Sequence, residues 1–132
     1  MLRGIAYVSS ASRDLLADDL EFIVRESRRF NEASGVTGVL LYCDGNFMQY
    51  FEGEDAAVAA TWARIRASAR HHHVSELMDQ PIDEREFAGW GLGFAQATPD
   101  GLPDLAARTP IDDRCGPGAD LLKTFWLSCR GR

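Results

Sequence analysis

The sequence predicts an α+β domain in which two helices lie on one face of a mainly antiparallel sheet, in the chain order β-α-β-β-α-β-β, followed by a helical tail. Three observations carry this. Short β-branched and aromatic runs alternate with two stretches of helical apolar spacing. An Asp-Gly pair separates two adjacent strand-like runs. The chain has 132 residues, 45% hydrophobic and 26% charged, which suits one domain with one core.

Residues 2–9, with Ile5, Tyr7 and Val8, read as the first strand, closed by Ser9-Ser10-Ala11-Ser12 as a turn and helix entry. From about Asp14, the residues Leu16, Leu20, Ile23 and Phe30 recur at helical spacing opposite Asp18, Asp19, Glu21, Arg25 and Arg28. This first helix stops by Gly35, which accepts the positive φ of a C-terminal cap. Val36–Tyr42 and Gly45–Phe51 follow as strands two and three, joined through Cys43-Asp44-Gly45. Glu52-Gly53-Glu54-Asp55 places acid at the start of a second helix, where the helix dipole favours it, and Val58, Trp62 and Ile65 form its apolar stripe. That helix frays near His71-His72-His73. Val74–Pro81 reads as strand four, and Phe87–Phe94, which alternates large residues with glycine, as strand five. The pattern is the ferredoxin-like split β-α-β arrangement with an added strand.

From Ala95 the chain turns to Pro99, Pro103, Pro110 and Pro117 with scattered Gly and Asp, an irregular linker before a last helix at Leu121–Leu127. Residues 1–96 therefore read as the folded domain and 97–132 as a linker and helical extension packing on the sheet. Strands two and three are apolar on both alternating faces, so the face away from the two helices needs cover. The tail helix, a partner subunit, or both supply it; a homodimer or higher homo-oligomer is compatible with this.

Lys+Arg 14 against Asp+Glu 20 gives a net charge of -6, a field that repels nucleic acid and anionic membranes. Cys43, Cys115 and Cys129 are odd in number and widely spaced, which indicates neither a disulfide framework nor a zinc knuckle and points to the cytoplasm. The N-terminal residues are too soon polar for a secretory signal, and no apolar run approaches the roughly 18 residues of a membrane span. Dinucleotide, P-loop, hydrolase-elbow and zincin signatures are all missing. Adjacent His71, His72 and His73 point in different directions, so no metal site is expected.

Polar residues in the expected core are more informative. Gln49 lies inside Phe47-Met48-Gln49-Tyr50-Phe51, where a buried carboxamide is costly unless its hydrogen bonds are met. Tyr7 lies on strand one, the sheet neighbour of strand three in this topology, and Asn31 ends the first helix. Each alone reads as an amphipathic core residue, a satisfied core amide or a helix cap. Together, a phenol and two amides form a site able to grip a planar heterocycle bearing carbonyls and ring nitrogens.

Over about its first 95 residues the sequence resembles the BLUF family, the blue-light sensors that use flavin. The resemblance lies in Ile5-Ala6-Tyr7-Val8-Ser9, Asn31 followed by Gly35-Val36-Thr37-Gly38-Val39-Leu40, Gly45–Gly53, Arg70-His71, and Arg85-Glu86-Phe87-Ala88-Gly89-Trp90. It implies non-covalent binding of FAD, with FMN or riboflavin as alternatives, between the two helices. Tyr7 is then the photochemical electron and proton donor, and Gln49 the amide between that phenol and the N5/C4-carbonyl edge. Asn31 bonds the flavin carbonyl region, Arg70 lies near the C2-carbonyl edge, and His71 stands beside the ring. Trp90 and Leu92 belong to signal transmission, and Leu92 departs from the family's usual methionine, removing a weak sulfur acceptor. Ser68 stands where many members carry Asp.

The resemblance implies a hydrogen-bond switch with no substrate turned over. With no room for an output domain in this length, the signal is expected to pass to a separate downstream protein, without direct nucleic-acid or membrane contact. Two alternatives stay open. One is a light-insensitive interaction module. The other is a small ferredoxin-like enzyme, flavin-dependent or of acylphosphatase type, for which Ser9-Ser10-Ala11-Ser12-Arg13 faintly echoes a phosphate-cradling loop.

Overall fold

β1 (Leu2–Ala11) is long because both its edges are paired: β3 (Asn46–Glu54) runs antiparallel on one side and β4 (His71–Ile82) on the other. The computed structural model describes residues 1–12, 15–96 and 116–130. With β2 (Thr37–Cys43) and β5 (Gly93–Gln96), the strands form one sheet in the order β4-β1-β3-β2-β5. β2 pairs antiparallel with β3 and parallel with β5. The helices are α1 (Ala17–Ser34), α2 (Asp55–Ala67) and α3 (Pro117–Arg130). The architecture is the ferredoxin-like arrangement read from the sequence.

Local chemistry accounts for the boundaries. Asp44 and Gly45 have φ of 49° and 80°, the two consecutive positive values that a two-residue hairpin with the right-handed sheet twist requires. The Asp19 carboxylate accepts the Leu16 N–H at 3.0 Å, satisfying a donor at the entry to α1.

The structure corrects several expected boundaries. Ser9, Ser10 and Ala11 continue β1 instead of turning, since Ser10 faces both Asn46 and His72 and Ala11 faces His71. His71–His73 consequently open β4; they do not fray a helix, and His73 takes φ 54° where the β1–β4 register shifts. Glu52 and Gly53 belong to β3, paired with Gly4 and Arg3 across the sheet. Phe87–Leu92 is not strand: its carbonyls are drawn to other partners, Trp90 O by Gly38 N–H, Gly91 O by Asn31 and Leu92 O by Arg28, leaving only Gly93–Gln96 to pair with β2. Cys43 is 3% exposed and disulfide-bonded, against the reading that the cysteines indicate no disulfide framework. Cysteine usage therefore gives no ground for a reducing compartment. Arg13, the 97–115 linker and Cys115 lie outside the described residues.

The side-chain period of two sends β3 into two different cores. Phe47, Gln49 and Phe51 face α1 and α2, where Ile5, Tyr7, Val58 and Trp62 pack near one end and Leu20, Val24, Leu40 and Leu92 near the other. Met48 and Tyr50 face the opposite side with Ala6, Val39 and Leu41, against Phe87 and the α3 residues Ala119, Leu122 and Trp126. Tyr50 lies so close to α3 that a Cβ on Gly118 would sit 2.5 Å from its ring.

Candidate functional site

A cavity of about 390 Å³ opens between α1, α2 and the sheet. Its floor is set by the pairing of β1 with β3, which places Tyr7 opposite Gln49. The Tyr7 hydroxyl donates to Gln49 Oε1 at 2.6 Å, and both residues are buried, at 4% and 5% exposure. Burial pushes the Tyr7 phenol well above its ordinary pKa, so it stays protonated as donor across neutral pH. This fixes Gln49: its carbonyl oxygen is taken, and its amide N–H₂ has no protein acceptor among the described residues. The amide donor is accessible from the cavity, and with its carbonyl already held it can pair with an acceptor on whatever fills that cavity.

His71, at the start of β4, forms part of the same wall. Its Nε2 lies 2.7 Å from the Ile65 carbonyl, and a carbonyl only accepts, so Nε2 carries a proton. Its Nδ1 lies 2.7 Å from Ser9 Oγ. With both nitrogens engaged, His71 serves as a fixed aromatic wall, 6.0 Å edge-on from the Tyr7 ring. Among the described residues, no three His, Cys, Asp or Glu side chains are grouped to hold a metal ion.

Arg70 lines the cavity as well, with its guanidinium 4.6 Å over the Phe22 ring. Asn31 stands apart. It is 1% exposed, its Nδ2 donates to the Gly91 carbonyl at 2.7 Å, and it is not one of the cavity-wall residues. Trp90 packs on the far face of the sheet, where a Cβ on Gly93 would meet its ring at 2.6 Å. Leu92 lies on the near face, packed with Leu40 and Phe47, which line the cavity.

Sequence reasoning missed two features. Trp62, read only as part of an apolar stripe, has its ring 5.3 Å from that of Tyr7. Glu52, read as a helix-entry acid, is fully buried and accepts four hydrogen bonds on the α3 side: from Tyr50 Oη at 2.9 Å, Thr37 Oγ1 at 3.1 Å, Glu86 N at 2.8 Å and Phe87 N at 2.7 Å. An acid in Phe-Glu-Gly, directly after a strand apolar on both faces, is the signal that was available.

A half-open slot with a polar floor, aromatic walls and an unpaired amide donor defines a binding domain for a flat heterocycle that bears acceptors along one edge. Residues 2–93 match the family model BLUF, described as sensors of blue-light using FAD. The chain belongs to this family and is a flavin-based blue-light sensor domain. It is 37% identical over 109 residues to photoactivated adenylate cyclase subunit alpha of Euglena gracilis, covering 83% of this chain and 10% of that protein. Among solved structures it resembles Klebsiella pneumoniae BlrP1 with FMN and cyclic diGMP, with a TM-score of 0.79 and 29% identity over 96% of this chain and 35% of that one. It also resembles BlrB, a BLUF protein in its dark state, with a TM-score of 0.70 and 29% identity over 83% of this chain and 79% of that one. The chain thus spans about a tenth of the curated cyclase relative. No helix among the described residues is long and apolar enough to cross a membrane.

Proposed function

We infer that this domain senses blue light through reversible rearrangement of the Tyr7–Gln49 pair, and the observation that carries the reading is their 2.6 Å hydrogen bond beside a donor-facing cavity. The residues present fit a flavin, because the free Gln49 amide matches the acceptor edge of an isoalloxazine and the walls are flat and aromatic. When bound, the flavin supplies blue-light absorption and, once excited, a strong electron acceptor.

Tyr7 is the donor. Its ring gives up an electron, and its acidified phenol passes its proton along the bond to Gln49. The return of electron and proton restores the phenol and leaves the Gln49 amide turned or tautomerised, so nothing is consumed and no substrate is turned over. Arg70 and His71, on the cavity wall, would hold the flavin there. Asn31, through Gly91, and Leu92 place the 90–92 segment where it feels Gln49, and Trp90 carries the change to the far face.

Residues 1–96 are the sensor and 97–132 an extension through which the change reaches a separate protein. The net charge of -6 favours a protein partner over nucleic acid. The test is the visible absorption spectrum before and after blue light. A small reversible red shift is expected in the wild type and none in Gln49→Ala; a bound flavin whose wild-type spectrum never shifts overturns the reading.

A further inference from the structure

The first turn of α3 is capped by a residue far away in the chain. The helix opens at Pro117, which has no N–H, and the residue before it, Gly116, has no side chain with which to cap. The Asp120 N–H makes the first bond within the helix, to the Gly116 carbonyl at 3.0 Å. Between them stand the N–H groups of Gly118 and Ala119, to which Gly116 offers no side-chain acceptor. Both go to Glu86, 32 and 33 residues back: Oε2 accepts the Gly118 N–H at 3.1 Å and Oε1 the Ala119 N–H at 3.0 Å. The carboxylate also sets its negative charge against the positive end of the helix dipole. A side chain at position 116 would collide with it, since a Cβ on Gly116 meets Glu86 Oε1.

The position of this cap is set from the sensing side. The Glu86 N–H is fixed on Glu52 Oε1 at 2.8 Å and the Phe87 N–H on Oε2 at 2.7 Å, and Glu52 belongs to β3, the strand that carries Gln49. Further along, the Trp90 carbonyl accepts the Gly38 N–H at 3.0 Å, the Gly91 carbonyl Asn31 Nδ2 at 2.7 Å and the Leu92 carbonyl Arg28 Nε at 2.9 Å. Leu92 packs with Leu40 and Phe47, two of the cavity's lining residues. Residues 86–92 thus form one strip, held by the walls of the cavity at one end and holding α3 at the other. Glu86 lies within residues 2–93, which match the family, whereas Gly118 and Ala119 lie beyond them. The joint therefore links the common domain to an extension outside it.

We propose that Glu86 is the positioning residue that couples the light-driven change to α3. When the Gln49 amide turns, the 86–92 strip shifts, the Glu86 carboxylate leaves the Gly118 and Ala119 N–H groups, and the first turn of α3 loosens. This rests on the flavin-sensor reading. Both bonds come from one carboxylate, so they are made and lost together. A small displacement suffices, because an N–H···O contact ceases to be a hydrogen bond beyond about 3.5 Å.

Amide hydrogen exchange is measured on the full-length, flavin-loaded chain in darkness and under continuous blue light, with absorption spectra recorded on the same samples. In the wild type, exchange at Gly118, Ala119 and Asp120 is expected to quicken about five-fold in the light, the size that loss of a helix cap gives. In Glu86→Ala these amides exchange in darkness at the illuminated wild-type rate and light no longer changes it, while flavin affinity and the red shift stay as in the wild type. Glu86→Gln, which loses the charge and one acceptor oxygen, falls between. A red shift in the wild type with equal α3 exchange in darkness and light overturns the coupling and leaves Glu86 a static cap. A wild-type light response of α3 in Glu86→Ala overturns it as well. Absence of the red shift in the flavin-loaded wild type overturns the flavin-sensor reading itself, and the coupling with it.

Discussion

The Tyr50 hydroxyl donates to the Glu52 carboxyl group at 2.9 Å, two residues along one face of β3, and ties the sheet to the segment that anchors α3. Glu52 also receives the Glu86 and Phe87 N–H groups. The Glu86 side chain in turn accepts the Gly118 and Ala119 N–H groups at 3.1 and 3.0 Å, in the first turn of α3. Burial pushes the Tyr50 phenol far above its ordinary pKa, and the nearby Glu52 and Glu86 push it further, so it remains a donor.

Glu52→Ala strands four donors, one of them a hydroxyl on a fully buried ring. A loss of at least about 3 kcal/mol is expected, large for one substitution. Urea denaturation of the flavin-bound protein measures it. A loss under about 1 kcal/mol would show that the network contributes little.

Gly118→Ala places a methyl group 2.5 Å from Tyr50 Cε1. Either α3 or the ring has to move, at a cost of about 1–3 kcal/mol. Amide hydrogen exchange should report faster exchange along α3 with the cavity-side strands unchanged. Uniform protection would count against close docking at this glycine.

Tyr7→Phe keeps the ring and removes the 2.6 Å hydrogen bond, leaving Gln49 Oε1 without its donor. Stability should fall by about 1–2 kcal/mol, flavin should still bind, and the light-induced red shift should vanish. A shift of wild-type size in this variant would remove Tyr7 from the photochemistry.

Arg3 grips Asp79 of β4 through Nε at 2.7 Å and through its terminal nitrogen at 2.6 Å. The hydrogen bond from Arg3 holds the Asp79 carboxyl below its ordinary pKa. The contribution is therefore complete above the unfolded value of about 3.9 and is lost as pH falls through the lower, folded value. Arg3→Gln should cost up to about 1 kcal/mol at pH 7, the range for a partly exposed pair, and the difference from wild type should shrink below about pH 4. Thermal melts at several pH values test this; a gap that widens in acid would contradict it.

Much of this was legible in the sequence. Tyr7 and Gln49 could be placed opposite each other because hairpin, strand parity and topology follow from Asp44-Gly45 and a period of two. The two apolar faces of β2 and β3 announced a layer beyond the two helices. What escaped depended on contacts between distant segments. His71–His73 look like a polar helix end until β1 supplies an edge for them to pair with. Phe87–Leu92 carries strand-like residues, yet its carbonyls are claimed by Asn31, Arg28 and Gly38. Glu52 resembles a helix-entry acid until the backbone of Glu86 and Phe87, more than thirty residues on, arrives to satisfy it.

The placement of Gln49 and Tyr50 on successive positions of β3 has an evolutionary consequence. Because neighbours on a strand face opposite ways, inserting or deleting one residue between Phe47 and Gln49, with Phe47 held in register, would exchange the two sides, sending the amide toward α3 and the phenol with its acid toward the cavity between α1 and α2. Light-sensing side and anchoring side therefore cannot be retuned separately by changes in length. Lineages descending from this chain can vary the two functions only by substitution, one residue type at a time, inside a segment whose spacing is frozen.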